Sequence, residues 1–123
     1  MTEPKRTILF IDDEELMRDV ASMMFEEVEW KAYFAASGKE GIDLYRSHQA
    51  EIDLAIIDFS MPEKNGVETA LELRTMNPEL PILIVSGLIT EQELGPLAGQ
   101  DGIAFLRKPF HLQSLLQKLT TFQ

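Results

Sequence analysis

The chain contains no cysteine, no apolar run near the length of a membrane-spanning helix, and only 11 basic residues against 21 acidic ones. Without cysteine there is neither a disulfide framework nor a thiolate metal site. A membrane-spanning helix needs about 18 or more consecutive apolar residues, and the N-terminal "MTEPKRTILF" is too short in its apolar part for a signal peptide. The expectation is a soluble, cytoplasmic protein. A formal charge of −10 repels a phosphate backbone, and no basic stripe is present for counterion release, so direct nucleic-acid binding is excluded as a function class. Internal repeats, linkers and low-complexity stretches are missing as well. The 123 residues, 45% of them hydrophobic, are therefore read as a single domain over 1–123 with a core of its own, any output domain being absent from this chain.

What is present is an alternation. Apolar runs stand at 8–11 ("ILFI"), 54–57 ("LAII"), 82–85 ("ILIV") and 103–106 ("IAFL"), with a weaker one at 32–35 ("AYFA"). Near-continuous apolar runs of this length predict strands covered on both faces. Between them lie segments of helical spacing. From Glu14 to about Val28, Leu16, Val20, Met24 and Val28 recur on one helix face, which predicts a core-facing stripe and places the methionines in the core. Ser37 with Glu40, Asn65 with Glu68 and Thr90 with Glu93 have the spacing of capping boxes, and Asn77-Pro78 closes a helix. A last helix, from about His111 to Thr121, carries Leu112, Leu115, Leu116 and Leu119 as one stripe. Five strand–helix alternations predict an α/β fold, a five-stranded parallel sheet with helices on both faces and right-handed crossovers.

In such a sheet every strand ends on the same edge, where ligands bind. The residues that follow the runs are Asp12, Asp13, Ser37, Asp58, Ser86, Arg107 and Lys108. Three acids on one edge repel one another unless a cation joins them. Oxygen ligands without cysteine suit a hard ion that keeps some water, so Mg²⁺ fits better than zinc. Lys108 and Ser86 add a positive charge and a donor, and the set reads as a phosphoryl site. Spacing alone does not say which carboxylate carries the phosphoryl group, and any single acid here could instead be a helix N-cap, Asp13 above all. His48 and His111 lack acidic or histidine neighbours at ligand spacing and read as surface residues. Trp30 and Tyr33 read as anchors of the second strand.

Together "FIDDEE", "IIDFSMPEKNG", "ILIVSG" and "FLRKPF" resemble the receiver domain of two-component response regulators, over essentially the full chain. That resemblance implies a flavodoxin-like (βα)5 fold with strand order 2-1-3-4-5 and a role as a signalling module, not an enzyme beyond Mg²⁺-dependent self-phosphorylation and autodephosphorylation. It implies that Asp58 is the phosphoacceptor, that Asp12 and Asp13 hold Mg²⁺ with Asp58 and the backbone carbonyl of Ser60, and that Ser86 and Lys108 bind the phosphoryl oxygens. The donor would be a phosphohistidine on a histidine kinase or phosphotransfer protein, and the readout an output domain or downstream protein. Ser86 and Phe105 would form the switch, Lys108–Pro109 would be a cis peptide, and Ser60 and Leu88 would set the phosphate lifetime. Gly95-Pro96 departs from the family's habit inside the segment expected to be its fourth helix; a proline in a helix interior predicts a short, displaced or frayed helix over 90–98. Two other readings carry less weight. A metal-dependent phosphohydrolase would favour an Asp-x-Asp motif after the first strand, and a phosphorylation-independent scaffold would not keep all five site residues.

Overall fold

In the computed structural model, residues 6–87, 95, 97, 100–108 and 110–119 are described. The strands are β1 (Thr7–Ile11), β2 (Lys31–Ala35), β3 (Leu54–Asp58), β4 (Ile82–Ser86) and β5 (Ile103–Arg107); the helices are α1 (Glu15–Glu27), α2 (Gly38–His48), α3 (Gly66–Met76) and α4 (Leu112–Leu119). All strand pairs are parallel and the order is β2-β1-β3-β4-β5, as expected.

Alternation along the strands divides the core into two. Leu9, Ile11, Ala55, Ile57, Ile82 and Ile84 point to the side covered by α2 and α3, where they meet Ile42, Tyr45, Ala70 and Leu73. Ile8, Phe10, Leu54, Ile56, Leu83 and Val85 point to the other side and meet Ala21 and Phe25 of α1 with Leu115 and Leu119 of α4. The three central strands are buried throughout, which is why their sequences are apolar without a break. β2 and β5 are only half-buried, contrary to the expectation of full cover, because each is an edge strand with one neighbour.

Helix starts follow the predicted chemistry where they are described. The Ser37 hydroxyl accepts from the Glu40 N–H, and Asn65 and Glu68 form a reciprocal capping box. Asn77 terminates α3. One expected face is corrected. Leu16 is 71% exposed, whereas Val20, Met24 and Val28 of the expected stripe are partly buried, and the apolar cover extends to Met17, Ala21 and Phe25. The face turned to the sheet is centred on Ala21 and Phe25 and leaves Leu16 out, because Phe25, packed edge-on against Phe10 and beside Trp30, is the bulkiest apolar group the helix offers to the sheet. Met23 is exposed too, so not every methionine of α1 is core.

His48 is also corrected: it stacks on Tyr33 at 4.2 Å, and its Nδ1 lies 3.8 Å from Glu51. The acid three residues on is brought beside it by the turn that ends α2. His111 is exposed as expected. The pairing of Thr90 with Glu93, Leu88 and the Lys108–Pro109 peptide fall on residues outside those described, as does nearly all of 90–98. Gly95, which is described, has φ 56°, in the left-handed region that a regular α-helix does not contain.

Candidate functional site

The site is assembled at the C-terminal edge of β1, β3 and β4. Asp12 follows β1, fully buried, and its main chain is held in place by a bond from its N–H to the Ala35 carbonyl (3.0 Å). Both of its carboxylate oxygens are engaged: Oδ1 accepts from the Glu14 N–H at 2.9 Å, and Oδ2 accepts from the Lys108 ammonium at 2.9 Å. Asp58 is the last residue of β3, only 4% exposed, and its Oδ1 accepts from the same ammonium at 3.2 Å. One oxygen each from Asp12, Asp13 and Asp58 lies within 4.8 Å of the others, with Asp13 on the solvent side. This donor set, all carboxylate oxygen with an open face, fits a hard divalent ion that keeps part of its water shell.

The electrostatics follow from burial. Desolvation, then the neighbouring Asp12 charge, raise the Asp58 carboxyl from 3.8 to about 6; Lys108 opposes them without cancelling them. Burial by itself would lower the Lys108 ammonium, but its bonds to Asp12 and Asp58 outweigh that and hold its pKa above the ordinary 10.5. Asp58 is thus a carboxylate of raised basicity beside a permanent cation.

Two close approaches shape the pocket. Gly66, the first residue of α3, leaves no room for a side chain: a Cβ there would lie 2.6 Å from the Asp58 carbonyl oxygen and 2.8 Å from the Phe59 Cα. Its N–H donates to the Phe59 carbonyl at 2.8 Å, which folds the loop after Asp58 back against the strand end. The Lys108 N–H donates to the Ser86 carbonyl at 2.8 Å, and this ties the lysine's backbone to the end of β4.

Of the residues predicted for the site, Asp12, Asp13, Asp58 and Lys108 come together. Ser86 closes β4 in a buried position one strand from Asp58, where Asp58 pairs with Val85. Ser60 lies exposed two residues past β3. Phe105 is half-buried on β5 opposite Ile84 and packs against the α2/α3 side of the core. Ser37 stays apart as the cap of α2, and exposed Arg107 donates to the Gly87 carbonyl at 3.4 Å. Asp13 is not the N-cap of α1; Glu14 is.

Two residues were not anticipated. Arg18 donates to the Asp12 carbonyl at 2.8 Å, and the Glu14 carboxylate lies 3.7 Å from the Lys108 ammonium. The acidic run "DDEE" and an arginine one turn into the following helix were the available signals.

The family model for the response regulator receiver domain matches residues 8–120. The chain is 32% identical over 121 residues to a probable transcriptional regulatory protein of Picosynechococcus, covering 93% of this chain and 47% of that protein. Among solved structures it is similar to a response regulator receiver domain protein from Clostridium thermocellum, with TM-score 0.84 and 26% identity over 95% of this chain and 94% of that one. It is also similar to the receiver domain of the hybrid histidine kinase CckA, with TM-score 0.79 and 27% identity over 95% and 99% of the two chains. The chain spans about half or less of the length of the curated relatives it matches.

Proposed function

Since the chain belongs to the response regulator receiver domain family of two-component signalling, we propose that it receives a phosphoryl group on Asp58 from a phosphohistidine of a histidine kinase or phosphotransfer protein. The observation that carries this reading is the single ammonium of Lys108 placed between Asp12 and Asp58, at 2.9 and 3.2 Å. Two buried acids sharing one cation are poorly compensated, and such a site favours whatever adds positive charge or spreads the negative charge.

In the proposed reaction an Asp58 oxygen forms a bond to phosphorus while the bond to the donor nitrogen breaks. With its pKa at about 6, Asp58 is ionised at neutral pH and ready to act as nucleophile. Asp12, Asp13, Asp58 and the Ser60 carbonyl would hold Mg²⁺, which supplies charge neutralisation for the transferring group. Lys108 turns from its carboxylates to a phosphoryl oxygen, and the Ser86 hydroxyl donates to another. The added charge and acceptor oxygens draw Ser86 inward, and Phe105, on the neighbouring strand, fills the space behind it. The shift changes the surface around β5 and α4, to be read by an output domain or a downstream protein rather than by direct contact with nucleic acid.

Leu16 and Met23, 71% and 63% exposed on α1, would contribute apolar groups to the surface that the phosphodonor protein meets. No helix among the described residues is long and apolar enough to cross a membrane, which suits action in the cytoplasm. We read residues 1–123 as one receiver domain.

Incubation with Mg²⁺ and acetyl phosphate, followed by intact mass measurement, tests the proposal. The expected result is a gain of one phosphoryl group, lost in Asp58→Asn and on chelation of the metal. Continuous release of inorganic phosphate over many turnovers would instead support a phosphohydrolase, and no adduct under any condition would support a scaffold.

A further inference from the structure

Glu14 occupies the N-cap of α1 yet makes no side-chain capping bond, although an acid there has free N–H groups of the first turn within its reach. Its carboxylate turns instead toward the site, 3.7 Å from the Lys108 ammonium, and remains 63% exposed. The other two partners of that ammonium, Asp12 and Asp58, are buried beneath it. Glu14 is therefore the solvent-exposed one of the three carboxylates around that ammonium, at the rim of the pocket. Asp13 and Glu15, both exposed, flank it.

We propose that Glu14 is a specificity-determining residue that selects phosphodonors by charge, disfavouring free, doubly negative phosphoryl donors relative to less charged ones. This rests on Asp58 as the phosphoacceptor. When acetyl phosphate reacts, the Asp58 oxygen bonds to phosphorus as the bridging phosphorus–oxygen bond breaks and acetate leaves with the electron pair. A dianion that does so comes within reach of the Glu14 charge, since that carboxylate lies 3.7 Å from the Lys108 ammonium. A unit charge acting on a dianion about 6–12 Å away in water-like surroundings alters a rate by about three- to tenfold. The effect is screened by salt, since the Debye length falls from about 30 Å at 0.01 M to about 3 Å at 1 M. Phosphoramidate, singly charged at neutral pH, is the comparison. There the phosphorus–nitrogen bond breaks, and the nitrogen, carrying the proton that the singly charged donor already holds, keeps the electron pair and leaves as ammonia.

The test measures the rate of Asp58 phosphorylation by intact mass for the full chain at saturating Mg²⁺, with each donor at low and high salt. Glu14→Gln is expected to react about three- to tenfold faster with acetyl phosphate at low salt, with the gain falling below about twofold at high salt. The gain for phosphoramidate should be smaller, near the square root of the first. Glu15→Gln removes the same net charge one residue away and should change neither rate by more than about twofold. An equal gain with both donors, a gain that survives high salt, or no gain overturns the proposal. A wild-type chain that takes phosphate from neither donor overturns the phosphoacceptor reading itself, an outcome distinct from unchanged rates in Glu14→Gln.

Discussion

Replacing the candidate phosphoacceptor by its neutral isostere should make the metal-free protein more stable. The carboxyl of Asp58 is raised from 3.8 to about 6 by burial and by Asp12. A carboxyl whose pKa is higher in the folded than in the unfolded state contributes stability that is complete below the unfolded value and is lost as pH rises through the folded one. The window is thus from 3.8 to about 6, and across it the ionised form lowers stability by about 3 kcal/mol. Asparagine keeps the shape and never acquires the charge. Against this, Lys108 loses one of two close carboxylates, though Asp12 remains at 2.9 Å. The expected net gain for Asp58→Asn is about 1–3 kcal/mol at neutral pH, or about 3–10 °C in Tm for a domain of this size. Thermal and urea unfolding followed by circular dichroism with EDTA present measure it, at about pH 7.5 and about pH 4. The gap should close at the lower pH, where wild-type Asp58 has taken up its proton. A variant no more stable than wild type at neutral pH, or a gap of the same size at both, would refute the reasoning.

Lys108→Met leaves Asp12 and Asp58 without their shared cation and should destabilise the metal-free protein by about 2–4 kcal/mol at neutral pH. Urea unfolding in EDTA measures this, and a change below about 0.5 kcal/mol would contradict the account of the pair. Gly66→Ala places a Cβ 2.6 Å from the Asp58 carbonyl oxygen, against backbone on both sides. We expect a loss of about 2 kcal/mol or more in urea unfolding, together with slower phosphorylation because α3 is forced away from the strand end. Asn65→Ala removes one half of the capping box and should lower the urea midpoint by an amount equivalent to about 1 kcal/mol, with no change in phosphorylation rate.

How much could be read from the chain in advance differs from element to element. The buried central strands declared themselves because cover on both faces demands unbroken apolar runs, and β1, β3 and β4 have them. Edge strands carry a weaker form of the same pattern, so β2 and β5 look in sequence like their neighbours yet are half-exposed. The first helix shows the limit of spacing arguments. Leu16 and Met17 fit a 3.6-residue period almost equally well, and the choice between them was made by the aromatic contacts of Phe25 on the far side of the helix.

The candidate site divides in the same way. Asp12, Asp13, Asp58, Ser86 and Lys108 were identifiable because parallel strands deliver their C-terminal residues to one edge, a rule that needs only the order of elements along the chain. Glu14 and Arg18 were not, since their roles depend on where side chains turn after the strand has ended. Nor did the "MPEKNG" stretch disclose why its glycine matters; that appears only when Gly66 lies against the Asp58 carbonyl.

By itself, then, the sequence determined the fold class, the edge on which chemistry gathers and the kinds of groups available there, because hydrophobic periodicity and strand polarity are local properties of the chain. Tertiary structure alone decided that one ammonium serves two buried acids, that burial raises Asp58 to about 6, and that the exposed Glu14 carboxylate lies 3.7 Å from the same ammonium. Desolvation and Coulomb energy depend on distances across the sheet, between residues as far apart in the chain as Asp12 and Lys108, and no local pattern encodes those distances.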